Sequence, residues 1–212
     1  MPLSVIEVFQ SGGNFMYLIL FVFCLGIAII LERLFFLYYK YNINAPKLYK
    51  RIRQAVLQGD IKSAMASCDN SPLPAVLKAG LQQSQTNQEE VPAVMEEAIL
   101  EVAPKLQKRT HYLAVIANIA VLLGLLGTIL GLIVAFSAIS GAEPGEKAIQ
   151  LARGISLAMS TTAFGLVVAI PCLLFHAILQ SKANKLLDEI DEYSVKAAHL
   201  LQSRGAAEKE SL

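Results

Sequence analysis

Two long apolar runs, residues 113–139 and 151–180, constrain this chain more than anything else in it. Each exceeds the roughly 20 apolar residues that a helix needs to cross a bilayer. Inside lipid a segment must satisfy its own backbone N–H and C=O groups, so each run is committed to a helix. Neither run holds a carboxylate in its middle. A third run, 15–39, is also long enough and is interrupted only by Glu32 and Arg33 near its end. No basic region precedes it and no small-residue cleavage site follows, so it reads as a retained first span rather than a removed leader.

Composition agrees with three spans. The chain is 55% hydrophobic, above the roughly 45–50% usual for soluble domains. Its formal net charge of +1 gives no bulk attraction to nucleic acid. The charges are segregated. Residues 40–112 carry ten Lys and Arg, 140–150 carry only Lys147, and 181–212 carry five. Basic loops mark the cytoplasmic side, so the N-terminus is expected outside and the C-terminus in the cytoplasm. The expected fold is an all-α membrane protein with three transmembrane helices. The second and third are extended into a cytoplasmic helical bundle. Its parts are a periplasmic segment 1–14, spans 15–39, 113–139 and 151–180, a cytoplasmic segment 40–112, a periplasmic loop 140–150 and a cytoplasmic helix and tail 181–212.

Helical periodicity continues outside the spans. Leu48, Ile52, Ala55 and Val56 form one face, Gly59 is positioned to end that helix, and Asp60 to cap the next. The segment 82–90 is polar and reads as a loop, and 91–111 as a helix running without a stop into the second span, kinked at Pro104. Beyond the third span, Leu186, Leu187, Ile190, Tyr193 and Ala197 make a stripe, and 203–212 is expected to fray. Val5, Ile6, Val8 and Phe9 suggest a short surface helix before the first span. Cys24, Cys68 and Cys172 are odd in number and fall in spans or a reducing compartment, so packing is expected rather than disulfides or a metal site. No nucleophile–base pair, phosphate loop or metal-ligand spacing points to an enzyme or a cofactor.

The two long runs carry small and hydroxyl residues at helical spacing. Gly124, Gly127 and Gly131, with Thr128 beside them, allow close approach of a neighbouring backbone. In the third span Ser156, Ser160, Thr161 and Thr162 accompany Gly165. Such hydroxyls either bond to carbonyls of their own helix or line a pore. A hydroxyl does not titrate near neutral pH, so any stored proton needs a carboxylate from elsewhere. Glu32 and Arg33 are expected at the membrane edge, Arg153 to snorkel from the other end of the third span, and Asn118 to bond across helices.

These blocks resemble the MotA/TolQ/ExbB proton-channel family, closest to its ExbB/TolQ branch. The matching residues are Gly12-Gly13, Glu32-Arg33, Gly59-Asp60, Ser71-Pro72-Leu73, Gly124-Leu125-Leu126-Gly127-Thr128, Gly154-Ile155-Ser156, Thr161-Thr162-Ala163, Gly165-Leu166 and Ala169-Ile170-Pro171. The resemblance implies a proton-driven motor subunit. It implies a homopentamer in membrane lipid around a single-span ExbD/TolR-like partner with a membrane Asp, coupled to a TonB/TolA-like effector that serves transport or envelope maintenance. By motif position Thr128 and Thr162 match the family's pore-facing threonines. Two positions depart. Leu157 stands where many relatives carry Glu, and Val121 where the family usually has Pro. The other readings are a non-conducting membrane scaffold and the stator of a gliding or flagellar-type motor.

Overall fold

The structure is a computed structural model that describes residues 15–69, 71–141 and 145–210. The surface helix expected from Val5 to Phe9 lies outside them. The helices are α1 (Phe15–Leu34), α2 (Ala45–Leu57), α3 (Ile61–Ala66), α4 (Pro72–Gln83), α5 (Val91–Gln107), α6 (Thr110–Gly141) and α7 (Lys147–Glu210). No strand occurs among the described residues. Three helical stretches are long and apolar enough to cross a membrane, within Phe15–Leu57, Val91–Ile139 and Lys147–Arg204. The all-helical membrane architecture expected from the sequence is therefore present.

The chain divides into two compact units. The first comprises residues up to Glu32 together with Arg109–Ile178. It contains nearly all of α1, all of α6 and the first half of α7. Met16 and Ile19 pack with Ala117, Ala120, Phe164, Val168, Ala169 and Cys172, and Ile116 and Leu123 border that cluster. Glu32 receives the Arg109 guanidinium at 2.6 and 2.7 Å.

The second unit is Arg33–Lys108 with Leu179–Leu212. Local rules set its short helices. The Asn44 side chain accepts from the Lys47 N–H at 3.2 Å and the Asp60 side chain from the Ser63 N–H at 2.9 Å. Each satisfies one orphan donor of a first turn. Gly59 adopts φ 82°, the left-handed conformation that closes α2 at little steric cost. Leu48, Ile52 and Val56 of α2, Leu77 and Leu81 of α4, Met95 and Leu106 of α5, and Leu186, Ile190 and Ala197 of α7 are buried. Tyr49 meets the Tyr193 ring at 5.5 Å and donates to the Lys196 carbonyl at 3.3 Å. The Cys68 thiol is pushed above its ordinary value by burial, with Lys78 opposing only in part, so it stays protonated and inert near neutral pH.

Four local expectations change. The first apolar run is α-helical only to Leu34. Phe35–Lys40 is π-helical, closed by the Tyr41 N–H on the Phe36 carbonyl at 2.9 Å. The wider turn stacks Phe35 on Tyr39, ring centres 5.5 Å apart, and leaves Leu37 buried. The helix expected to run from 91 into the second span is instead broken. Lys108 is extended (ψ 133°) and Arg109 is left-handed (φ 63°). Pro104 sits inside α5 one turn before that break. At the other end, α7 stays helical through Glu210 instead of fraying from Ser203; its Ala-Ala-Glu-Lys-Glu ending consists of strong helix formers. Finally, Asn118 is exposed and makes no cross-helix bond among the described residues.

Candidate functional site

The site is built on α6 and α7 of the first unit. A tight seam between them is made by residues without bulk. A Cβ added at Gly124 would stand 3.1 Å from the Thr162 Cα, at Gly127 2.6 Å from the Thr161 Cβ, and at Gly131 2.9 Å from the Ala158 Cβ. From the α7 side, a Cβ at Gly165 would stand 2.7 Å from the Ala120 carbonyl oxygen, and one at Gly154 would be 2.8 Å from the Ala135 Cα. Gly124, Gly127 and Gly131 of α6 thus meet Gly154, Ala158, Thr161 and Gly165 of α7. The chain closes its own glycine seam, so the seam by itself does not require a second copy. The α7 half of this contact, Gly154, Ala158, Thr161 and Gly165, recurs at three- and four-residue steps. That spacing was the signal for Ala158, which the motif analysis passed over, and for a packing role of Gly154, which it named only within a family block.

The seam divides the hydroxyls. Thr161 is buried in it and donates to the Ala158 carbonyl at 2.8 Å. Thr162 is half-buried and donates across to the Gly124 carbonyl at 3.1 Å. Thr128, one turn on from Gly124, donates to the Leu125 carbonyl at 2.6 Å. Phe164 and Leu123 both pack in or against the cluster that contains α1 residues. At 3.6 residues per turn, Thr162 lies roughly 160° around α7 from Phe164, and Thr128 roughly 140° around α6 from Leu123. Thr128 and Thr162 therefore share the flank turned away from α1. Ser160, two positions before Thr162, belongs to the other side of α7, and Ser156 is exposed. The five hydroxyls do not form one row, because consecutive and alternate residues of a helix point in different directions.

This geometry limits the chemistry. Thr128 and Thr162 each commit their one hydroxyl hydrogen to a backbone carbonyl and keep lone pairs to accept. They can accept from a protonated carboxyl or a water, but have no free hydrogen for an ionised carboxylate. Leu157 is half-buried and borders a cavity with Val134, Ala138, Gln150, Arg153 and Gly154. Glu32 is held by Arg109, while Arg33 is buried and donates to the Lys105 carbonyl at 3.4 Å. Arg109 as the partner of Glu32 was invisible to motif analysis, being 77 residues away in sequence. Among the described residues no cluster of His, Cys, Asp and Glu is arranged to hold a metal.

Residues 69–192, which include α6 and most of α7, match the MotA/TolQ/ExbB proton channel family. A putative biopolymer transport protein, an ExbB homolog of Methanothermobacter thermautotrophicus, is 26% identical over 89% of this chain and 67% of its own length. The biopolymer transport protein ExbB of Aquifex aeolicus is 39% identical over 40% of this chain and 57% of its own. The Tol-Pal system protein TolQ of Haemophilus influenzae is 35% identical over 42% of this chain and 40% of its own. The matches to the last two therefore span little more than half, or less, of those relatives.

Proposed function

This chain belongs to the MotA/TolQ/ExbB proton channel family and is a membrane subunit of the energy-transducing kind, and on that premise we propose that it conducts protons beside α6 and α7 and couples their flow to work on an envelope system. The assembly is a pentamer in the bacterial inner membrane around a single-span ExbD/TolR-like partner. The work is mechanical and not enzymatic. The observation that carries the reading is the family match across both long spans, which includes Thr128 and Thr162.

The chemistry of those hydroxyls supplies a mechanism. Neither long apolar run holds a carboxylate, so the titrating group comes from the partner. A neutral partner carboxyl donates its O–H to Thr128 or Thr162. Once ionised it finds no free donor there, and like any ion in a low-dielectric setting it is costly to leave unpaired. Protonation then favours contact and deprotonation favours release. Moving one charge through 100 mV supplies roughly 2.3 kcal/mol, enough to shift a packed interface.

Proteoliposomes containing the chain and its partner test this. Thr162→Val and Thr128→Val each remove the accepting oxygen at nearly constant volume. Proton flux is expected to fall at least tenfold in each variant while the oligomer, weighed by native mass spectrometry, persists. Flux equal to wild type in both variants overturns the pore assignment. Flux absent from the wild-type complex with its partner favours the scaffold, for which Leu157 in place of a carboxylate is the supporting observation.

A further inference from the structure

A second polar feature of the membrane unit is not used by this mechanism. Where α6 ends and α7 begins, a cavity of about 240 Å³ opens between the two helices. Its described walls are Val134 and Ala138 of α6 and Gln150, Arg153, Gly154 and Leu157 of α7. Arg153 is exposed and makes no hydrogen bond or ion pair among the described residues, although it lies within a stretch able to cross a membrane. A guanidinium there is costly without an anion, and it seeks one at the membrane surface.

The cavity's lining combines two chemistries. Val134, Ala138 and Leu157 give apolar walls. Its volume of about 240 Å³ is many times the roughly 10–15 Å³ that one water requires, enough for a stretch of hydrocarbon. Arg153 brings five N–H donors in a planar fork suited to a phosphate, and Gln150 beside it brings an amide. A ligand that fits both has an anionic phosphate joined to an apolar chain.

We propose that this cavity is a binding site for an anionic phospholipid. Its phosphate sits on Arg153 with Gln150 alongside, and an acyl segment lies against Val134, Ala138 and Leu157. The site stands on the flank of α6 and α7 away from Thr128 and Thr162. It depends on the chain being in a membrane and not on conduction.

The full chain in a neutral maltoside detergent, titrated with phosphatidylglycerol and read by native mass spectrometry, tests the site. Wild type is expected to retain phosphatidylglycerol and to bind phosphatidylcholine and inorganic phosphate at least tenfold more weakly. R153Q is expected to lose tenfold or more in phosphatidylglycerol affinity, and R153K part of that, because a lysine keeps the charge but not the fork. L157E places a carboxylate one turn along α7 from Arg153. It is expected to weaken lipid binding to the same degree by supplying the anion internally. T162V, with its altered hydroxyl on the other flank, is expected to bind lipid as wild type does, which separates this site from the proposed pore.

Phosphatidylglycerol binding within twofold of wild type in both R153Q and L157E overturns the proposal. Equal binding of phosphatidylcholine overturns the anionic headgroup. Inorganic phosphate binding as tightly as phosphatidylglycerol overturns the lipid. Should R153Q fail to give a monodisperse particle with wild-type circular dichroism, L157E decides alone.

Discussion

Replacing Gly165 by Ala probes the α6–α7 seam at its tightest backbone approach. The new Cβ would stand 2.7 Å from the Ala120 carbonyl oxygen and 3.2 Å from the Gly124 Cα. Both are backbone atoms of α6, so no rotamer change relieves the overlap. The helices must part by about half an ångström, and close-packed interiors resist such shifts. Overpacking of this kind costs about 1–3 kcal/mol. A helical Ala in place of Gly returns about 0.5–1 kcal/mol, leaving a net loss of about 1 kcal/mol. The same displacement stretches the Thr162–Gly124 bond, now 3.1 Å, past the usual hydrogen-bond limit. The chain has no Trp, so unfolding by SDS in mixed micelles is followed by far-UV circular dichroism. Gly145→Ala is the neutral control, since a Cβ there has nothing within 4 Å. Gly26→Ala should fall between the two. Its closest neighbours are side-chain atoms, the Cys172 Sγ at 2.9 Å and the Ile116 Cγ2 at 3.4 Å, which can give way. A Gly165→Ala protein as stable as wild type, or more so, would refute the argument that backbone contact, and not side-chain packing, sets this seam.

The break between α5 and α6 makes a second test. Arg109 is left-handed at φ 63°, which costs a side-chain-bearing residue roughly 1–2 kcal/mol. Arg109→Gly and Arg109→Ala both lose the ion pair with Glu32, yet the Gly variant should be the more stable by about 1 kcal/mol in the same unfolding assay; equal stabilities would contradict the strained geometry. At the exposed face of α5, Glu101 is held below its ordinary value first by the hydrogen bond from Lys105, 2.8 Å away, and by its charge. Its contribution is present above the ordinary carboxylate range and is lost as pH falls through the lowered value. Glu101→Gln should therefore lower stability slightly at neutral pH, leave it nearly unchanged below the lowered value, and so flatten the acid limb of the profile. An acid limb unaltered by the substitution would show that this pair contributes nothing measurable.

Much of the architecture was readable before any coordinates. Run length alone marks the three spans, because a bilayer gives an apolar segment of that size no option but a helix. Gly59 and Asp60 announce the α2–α3 junction, because left-handed closure and side-chain capping are local properties of those residue types. The break at Lys108–Arg109 was not readable, since neither residue type favours it and both are ordinary helix formers. The π-helical stretch at Phe35–Lys40 is equally silent in a run of aromatic residues.

The site divides along the same line. Its ingredients, glycines at helical spacing with hydroxyls nearby, were visible as a pattern, and so was the family. Spacing on one helix cannot say what covers a face. Only the tertiary structure decided that α7 covers the α6 glycines with Gly154, Ala158, Thr161 and Gly165, which turns Thr161 inward and leaves Thr128 and Thr162 on the flank away from α1. The sequence determined which segments are helices, because that depends on solvent and on the nearest few residues. Which hydroxyls are spent on packing and which keep a free lone pair depends on contacts 30 to 40 residues apart, such as Thr162 with Gly124, and only the packed helices define those.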